Sequence, residues 1–137
     1  MENPSVSEGV VTGGVRMWLR TEGLAAFALS LLIYWRLGAS WWIFAGLFLV
    51  PDLSMLGYLI NAKAGGLAYN IVHSYLLPLG LAIVAIASDR IGASSNMLPL
   101  LCIWTAHIGL DRLFGYGLKY PTAFKRTHLG ILGKMPI

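Results

Sequence analysis

Three histidines, His73, His107 and His128, and two aspartates, Asp52 and Asp111, lie inside or beside runs otherwise apolar enough to cross a bilayer. A titratable side chain in hydrocarbon is costly unless it finds a partner, a metal or a water-filled cavity. His107 and Asp111 stand four residues apart, which on a helix puts them on one face, one turn apart. Neutral imidazoles and carboxylates are ligands for zinc and similar divalent ions, and three histidines with a water form a known catalytic zinc set. In this reading His73, His107, Asp111 and His128 hold a divalent metal such as zinc. Asp52 orients water as a base, and Asn70, Ser54 or Ser74 holds a substrate oxygen. The ion would lower the pKa of its water and polarise a carbonyl or phosphoryl group. The spacing matches no HExxH motif.

The same residues have plainer readings. A histidine and an aspartate on facing membrane helices can hydrogen-bond a bundle together without chemistry. Asp111 beside Arg112 can be an ion pair at a helix end, and His128, in a basic segment, can face lipid headgroups or water. Cys102 is the only cysteine, so the chain alone can build no disulfide, four-thiolate zinc site or iron–sulfur cluster.

The elements that must position these groups are long apolar helices. The 137 residues are 57% hydrophobic with mean hydropathy +0.69, and only 12% are charged. Four windows are long enough to span, approximately Trp18 to Leu37, Trp41 to Ile60, Leu67 to Ala87 and Met97 to Phe114. The expected fold is all-α: a flexible tail over 1–15, a four-helix transmembrane bundle over 16–114, and a loop with a short interfacial segment over 115–137. Counted from one side, Asp52, His73 and His107 each lie about seven or eight residues deep, roughly 10 to 12 Å at 1.5 Å per residue. Asp111 and Asn70 share that level one turn away, and Glu22 and His128 could cap the cavity.

Prolines and glycines add detail. Pro51 within span two frees a backbone carbonyl, tolerated in a bilayer only where protein or water meets it, and so points with Asp52 to an interior cavity. Pro78 predicts a kink in span three, Pro99 suits the first turn of span four, and Lys63, Gly65 and Gly66 read as the turn between spans two and three. Thr122 to Leu132 reads as an interfacial helix with Phe124, His128 and Ile131 or Leu132 on one face.

The net charge of +4 does not indicate nucleic acid, because the basic residues are scattered at helix ends. With four spans, Arg16, Arg20, Lys63, Lys119, Lys125, Arg126 and Lys134 share one side, whereas Arg36 and Arg90 fall on the other. The positive-inside rule then places both termini in the cytoplasm and the chain in the inner membrane, with the lipid bilayer as its surroundings. The apolar run from Gly23 to Ile33 reads as a retained first helix, because Trp35 and Arg36 interrupt it.

Several strings are distinctive together: Pro51-Asp52-Leu53-Ser54-Met55-Leu56-Gly57-Tyr58, Ala68-Tyr69-Asn70-Ile71-Val72-His73, Ala106-His107-Ile108-Gly109-Leu110-Asp111-Arg112 and Gly115-Tyr116-Gly117-Leu118-Lys119-Tyr120-Pro121, then Phe124-Lys125 and Thr127-His128-Leu129-Gly130. In these the chain resembles a bacterial family, the domain of unknown function DUF 4260. The resemblance covers nearly everything after the tail and implies a small integral membrane protein. An aspartate, a nearby serine and three histidines in a membrane bundle are also similar to the set of the zinc-dependent CREST hydrolases, among them alkaline ceramidases and progestin-type receptors. Those have seven spans and other spacings, so the similarity concerns the site alone. The leading expectation is a homodimeric bundle whose cytoplasm-facing metal site hydrolyses an amphipathic or lipid-like substrate. The second is a transport protein in which the same residues hold an ion or relay protons, and the third a structural membrane subunit.

Overall fold

The computed structural model describes residues 9–88, 91–121 and 124–131. Helix α1 (Gly13–Arg36) is followed by α2 (Trp41–Leu47), a 3-10 stretch (Val50–Leu59), α3 (Ala62–Val72), α4 (Leu76–Ala87) and α5 (Ile91–Phe114). Strands β1 (Arg126–Thr127) and β2 (Gly130–Ile131) form a small antiparallel hairpin. Among the described residues three helical stretches are long and apolar enough to cross a membrane: Trp41–Leu59, Ala62–Ala87 and Asn96–Phe114. Helix α1 is long enough at 24 residues, but Arg16, Arg20 and Glu22 near one end and Arg36 at the other lower its apolar character.

The distribution of side chains is that of a membrane protein. Trp42, Leu59 and Leu76 are each more than 80% exposed, and many other large apolar residues of α1 to α4 also face outward. Water would penalise so much contiguous apolar surface, whereas lipid does not. The polar groups with chemistry point inward, with His73 and His107 at 1% and 2% exposure.

Helix α5 is the axis of the molecule. It packs on α1 and α4, while α3 packs on the 3-10 stretch. The α1–α5 contact is a small-residue seam: a Cβ added at Gly23 would meet the Gly109 carbonyl at 2.8 Å, and one at Gly109 would meet the Gly23 carbonyl at the same distance. Backbones approach this closely only where both residues lack side chains. At the far end Tyr34, Trp41, Phe44 and Phe48 pack ring against ring, and Phe48 meets the His107 imidazole at 5.4 Å. That end of the histidine level is closed by aromatic rings.

Two spans are broken rather than bent. The helix of span two ends at Leu47, and the chain runs on as a 3-10 stretch with Pro51 in its first turn and Asp52 beside it. Span three stops at Val72, with His73 as its C-cap, and restarts at Leu76. The break precedes Pro78 because the proline ring disfavours an uninterrupted helix through the preceding turn. Side chains of α5 take up the carbonyls at this break: Trp104 Nε1 donates to Val72 O at 2.7 Å and Arg112 Nη2 to His73 O at 2.9 Å. Irregular backbone at this depth is tolerated because protein satisfies it.

Three sequence expectations are corrected. Lys63, Gly65 and Gly66 are not the turn; they lie within α3, whose N-cap Asn61 accepts from the Ala64 amide at 2.8 Å. Gly65 instead gives room to the Tyr58 ring. Pro99 lies well inside α5 rather than in its first turn. Residues 124–131 are not a helix: Arg126 pairs with Ile131 and Thr127 with Gly130, and Gly130, at φ +144°, adopts a backbone that side chains disfavour. Thr122 and Leu132, the ends of the expected helix, lie outside the described residues.

Candidate metal centre

Three elements bring four ligand groups to one point. Asp52 comes from the 3-10 stretch, His73 from the C-terminus of α3, and His107 with Asp111 from successive turns of α5. One ligand atom from each lies within 4.8 Å of all the others. His73 Nε2 is 3.2 Å from His107 Nε2, 3.3 Å from Asp52 Oδ1 and 3.6 Å from Asp111 Oδ2. His107 Nε2 is 3.4 Å from Asp52 Oδ1 and 3.5 Å from Asp111 Oδ2. A tetrahedron whose corners lie about 2.0 to 2.1 Å from its centre, the usual zinc–nitrogen and zinc–oxygen length, has edges of about 3.3 to 3.4 Å. The five separations that involve a histidine, 3.2 to 3.6 Å, bracket that edge, and the Asp52–Asp111 separation is within 4.8 Å.

Hydrogen bonding decides what the atoms present to the centre. His73 Nδ1 lies 3.0 Å from the Tyr69 carbonyl, an oxygen that only accepts, so Nδ1 carries the hydrogen. In the neutral ring Nε2 is then a lone pair, and it faces a second imidazole nitrogen and two carboxylate oxygens. Acceptors gathered in this way need shared protons or a cation among them. Tyr69 supports the ring further, stacking on it at 3.8 Å with 11° between the planes, and its hydroxyl lies 3.5 Å from Asp111 Oδ2. Arg112 does not pair with Asp111, because its guanidinium nitrogens donate to the carbonyls of Tyr116 and His73. Asp111 is thereby left to the histidines.

The histidines are buried, but Asp52 and Asp111 keep 33% and 19% of their side-chain surface exposed. Both line a cavity of about 560 Å³ together with Arg16, Tyr69, Lys119 and Phe124. A second, apolar cavity of about 390 Å³ lies between Pro51, Val72, Ile103 and Trp104.

The other expected site residues are placed elsewhere. His128 does not join the cluster: its Nδ1 accepts the Leu118 amide at 2.9 Å, tying the hairpin to the chain leaving α5. Burial holds its imidazole below the usual range, with the Arg112 charge acting in the same direction. Ser54 faces the apolar cavity rather than the cluster, its hydroxyl buried without a partner among the described residues. Ser74 Oγ accepts from the Leu76 amide at the helix break. Asn70 is committed to backbone, donating to Lys119 O at 2.7 Å and accepting from Lys119 N at 2.6 Å. Glu22 is exposed on α1. Tyr69, Arg112 and Lys119 are the residues that sequence reasoning did not assign. Only Tyr69 left a signal, its position four residues before His73 on one helical face.

The family model described as Domain of unknown function (DUF4260) matches residues 16–132. The chain belongs to the DUF4260 family. The matched region holds the whole cluster and the cavity beside it, so the site belongs to the family domain and not to an appendage of this DUF4260 chain. No curated protein and no solved structure matches it.

Proposed function

We propose that this protein is an integral membrane metallohydrolase. His73, His107 and Asp111 hold a divalent ion such as zinc, Asp52 takes a proton from the attacking water, and the cavity receives an amphipathic, lipid-like substrate. The observation that carries this reading is the convergence of four ligand atoms within 4.8 Å of one another, with the two carboxylates opening on the larger cavity. A divalent ion there supplies a water of lowered pKa and polarises a carbonyl or phosphoryl oxygen. Asp52 fits the base because it is the more exposed carboxylate and stands on a segment separate from both histidines. The backbone carbonyl that receives His73 Nδ1–H fixes the ring with its free nitrogen inward. In this reading α1 is the fourth span, both termini are cytoplasmic, and the cavity opens toward the cytoplasm from the inner membrane.

Detergent-purified protein is expected to carry about one divalent transition metal per chain, the stoichiometry of a mononuclear site. His73→Ala and His107→Ala should lose it with helical content retained. Fluorogenic long-chain acyl and phosphoryl esters should be hydrolysed only by the metal-loaded form. A folded parent without stoichiometric metal, and inert with zinc added, would end this reading.

One feature favours a second reading, an ion-binding transport protein: two of the three most apolar spans are interrupted at the level of the cluster. Discontinuous helices at mid-membrane commonly line ion sites in transporters. Zinc or proton flux into proteoliposomes, without ester turnover, would select it.

A further inference from the structure

Lys119 is a buried cation in need of an anion. Its residue is 5% exposed, and its ammonium lies 3.3 Å from the Phe124 ring centroid, 4.4 Å from that of Tyr69 and 5.3 Å from that of Tyr58. Among the described residues no carboxylate comes within ion-pair distance of it. Its position is built rather than incidental, because Asn70 holds both its amide and its carbonyl and Thr127 bridges to it. Burial lowers its pKa to about 8, with the Asp52 and Asp111 charges opposing that shift.

Arg16 reaches the same cavity from α1. Its Nε is buried without a partner among the described residues. Its guanidinium lies against Gly115 and Gly130, where an added Cβ would come within 3.3 Å of a guanidinium nitrogen. Gly115, at φ +88°, and Gly130 both adopt backbones that side chains disfavour. Two cations, Arg16 of α1 and Lys119 of the segment after α5, therefore line the cavity that the two carboxylates also line. One oxygen of each carboxylate lies 3.3 to 3.6 Å from the histidine nitrogens, and neither carboxylate comes within ion-pair distance of Lys119 or Arg16.

We propose that Lys119 and Arg16 form a phosphoryl-binding subsite in this cavity, presenting a phosphate ester to the His73–His107–Asp111 centre. The planar guanidinium fork matches pairs of phosphate oxygens, and an ammonium serves a third as a point charge. A carboxylate has only two oxygens and would leave one of these directions unused. The subsite itself needs no metal; that its ligand is a substrate rests on the hydrolase reading above. Phosphate esters reach such a site either as phospholipid headgroups or as soluble phosphate esters, and both offer the same oxygens.

The test uses the full chain in detergent or nanodiscs, with metal content measured on every sample. The probes are inorganic phosphate, glycerol phosphate, nanodiscs of phosphatidylcholine with or without phosphatidic acid, and laurate as a carboxylate control. Binding of a phosphate probe is expected to weaken at least tenfold in Lys119→Met and in Arg16→Met, with metal content unchanged, and to persist in Lys119→Arg. Binding of phosphatidic acid alone assigns the source to headgroups, and binding of glycerol phosphate assigns it to soluble esters. If Lys119→Met loses helical content, Arg16→Met, at a half-buried position, gives the same readout. A parent that binds no phosphate probe, that binds laurate equally well, or whose binding survives both neutral substitutions overturns the proposal. Phosphate binding lost in the variants of a metal-free parent would keep the subsite and refute the metal reading.

Discussion

His73 Nε2 and His107 Nε2 face one another at 3.2 Å; the other nitrogen of His73 meets the Tyr69 carbonyl, whereas His107 Nδ1 is buried with no partner among the described residues. Two imidazole nitrogens this close, with a carboxylate oxygen 3.3 to 3.6 Å from each, need a shared proton or a cation among them, and a divalent ion supplies the second. Chelation should therefore loosen the bundle. At a metal concentration a hundredfold above Kd, binding stabilises the folded chain by about 2.7 kcal/mol. A melting curve in detergent should move down several degrees with chelator and recover with zinc. Curves that coincide would mean that shared protons, not a metal, hold the cluster.

Much of the site was legible because depth in a membrane is readable from chain length. Asp52, His73 and His107 lie at similar distances from one end of apolar runs, and α-helical rise converts this into a common level. Asp111 followed from its spacing to His107. His128, expected among the ligands, lies in the hairpin instead, because the segment holding it is too short for periodicity to distinguish a helix from the hairpin it forms. Asn70 and Lys119 escaped for a related reason: their pairing joins residues 49 apart through backbone atoms, and side-chain pattern carries no record of backbone acceptors. Three of the four expected spans appear as long apolar stretches, while the charges at the ends of α1 leave it less apolar than the others. The break at His73 was foreshadowed only by Pro78, which marks a disturbance without telling a bend from an interruption.

The seam between α1 and α5 should be intolerant of bulk. Gly109→Leu would drive a side chain into the Gly23 carbonyl and the Phe27 backbone, whereas Gly46→Ala meets open space. Gly109→Leu is expected to cost several kcal/mol, as overpacking at a close backbone contact does, and Gly46→Ala little. Thermal melting of the two variants side by side checks this. Since Arg112 leaves α5 one turn after Gly109 and supports the His73 carbonyl, metal should be weakened along with the fold.

Asn70→Ala should destabilise by about 1 to 3 kcal/mol, because it leaves the Lys119 amide and carbonyl without their partner. Asn70→Asp can still accept from the amide but not donate to the carbonyl, and should fall between. Both should keep their metal, since Asn70 touches no ligand of the cluster. Metal loss equal to that of His73→Ala would place Asn70 nearer the centre than its hydrogen bonds do.

The His128 hairpin should loosen in acid. Its folded pKa is held below 6.5, mainly by burial, so the folded chain keeps the ring neutral where the unfolded chain would bind a proton. The unfolded state then holds more protons between the folded pKa and about 6.5, and stability falls as pH drops through that window. Protonation also removes the Nδ1 lone pair that accepts the Leu118 amide. Hydrogen exchange at Leu118 should accelerate below about pH 6.5 in the parent, and should be fast and nearly pH-insensitive, beyond the intrinsic dependence, in His128→Ala. Parent protection that stays flat to pH 5 contradicts the assignment.

Asp52 and Asp111 stand at nearly equal distances from both histidines, yet they should answer differently to the same change. Asp111 shares α5 with His107 at the spacing of a helical ligand pair and is the less exposed of the two, which suits a ligand. Asp52 stands on the 3-10 stretch and opens further to the cavity, which suits a group that exchanges protons with water. Asp111→Asn should therefore lose most of its metal. Asp52→Asn should retain metal and lower turnover of a phosphoryl or acyl ester by about 10² to 10⁴, the usual contribution of a general base. Metal analysis and single-turnover rates on the two variants separate the roles. Should Asp52→Asn lose metal as completely as Asp111→Asn, all four groups are ligands, no coordination position remains open at a tetrahedral ion, and the centre holds the bundle together rather than catalysing.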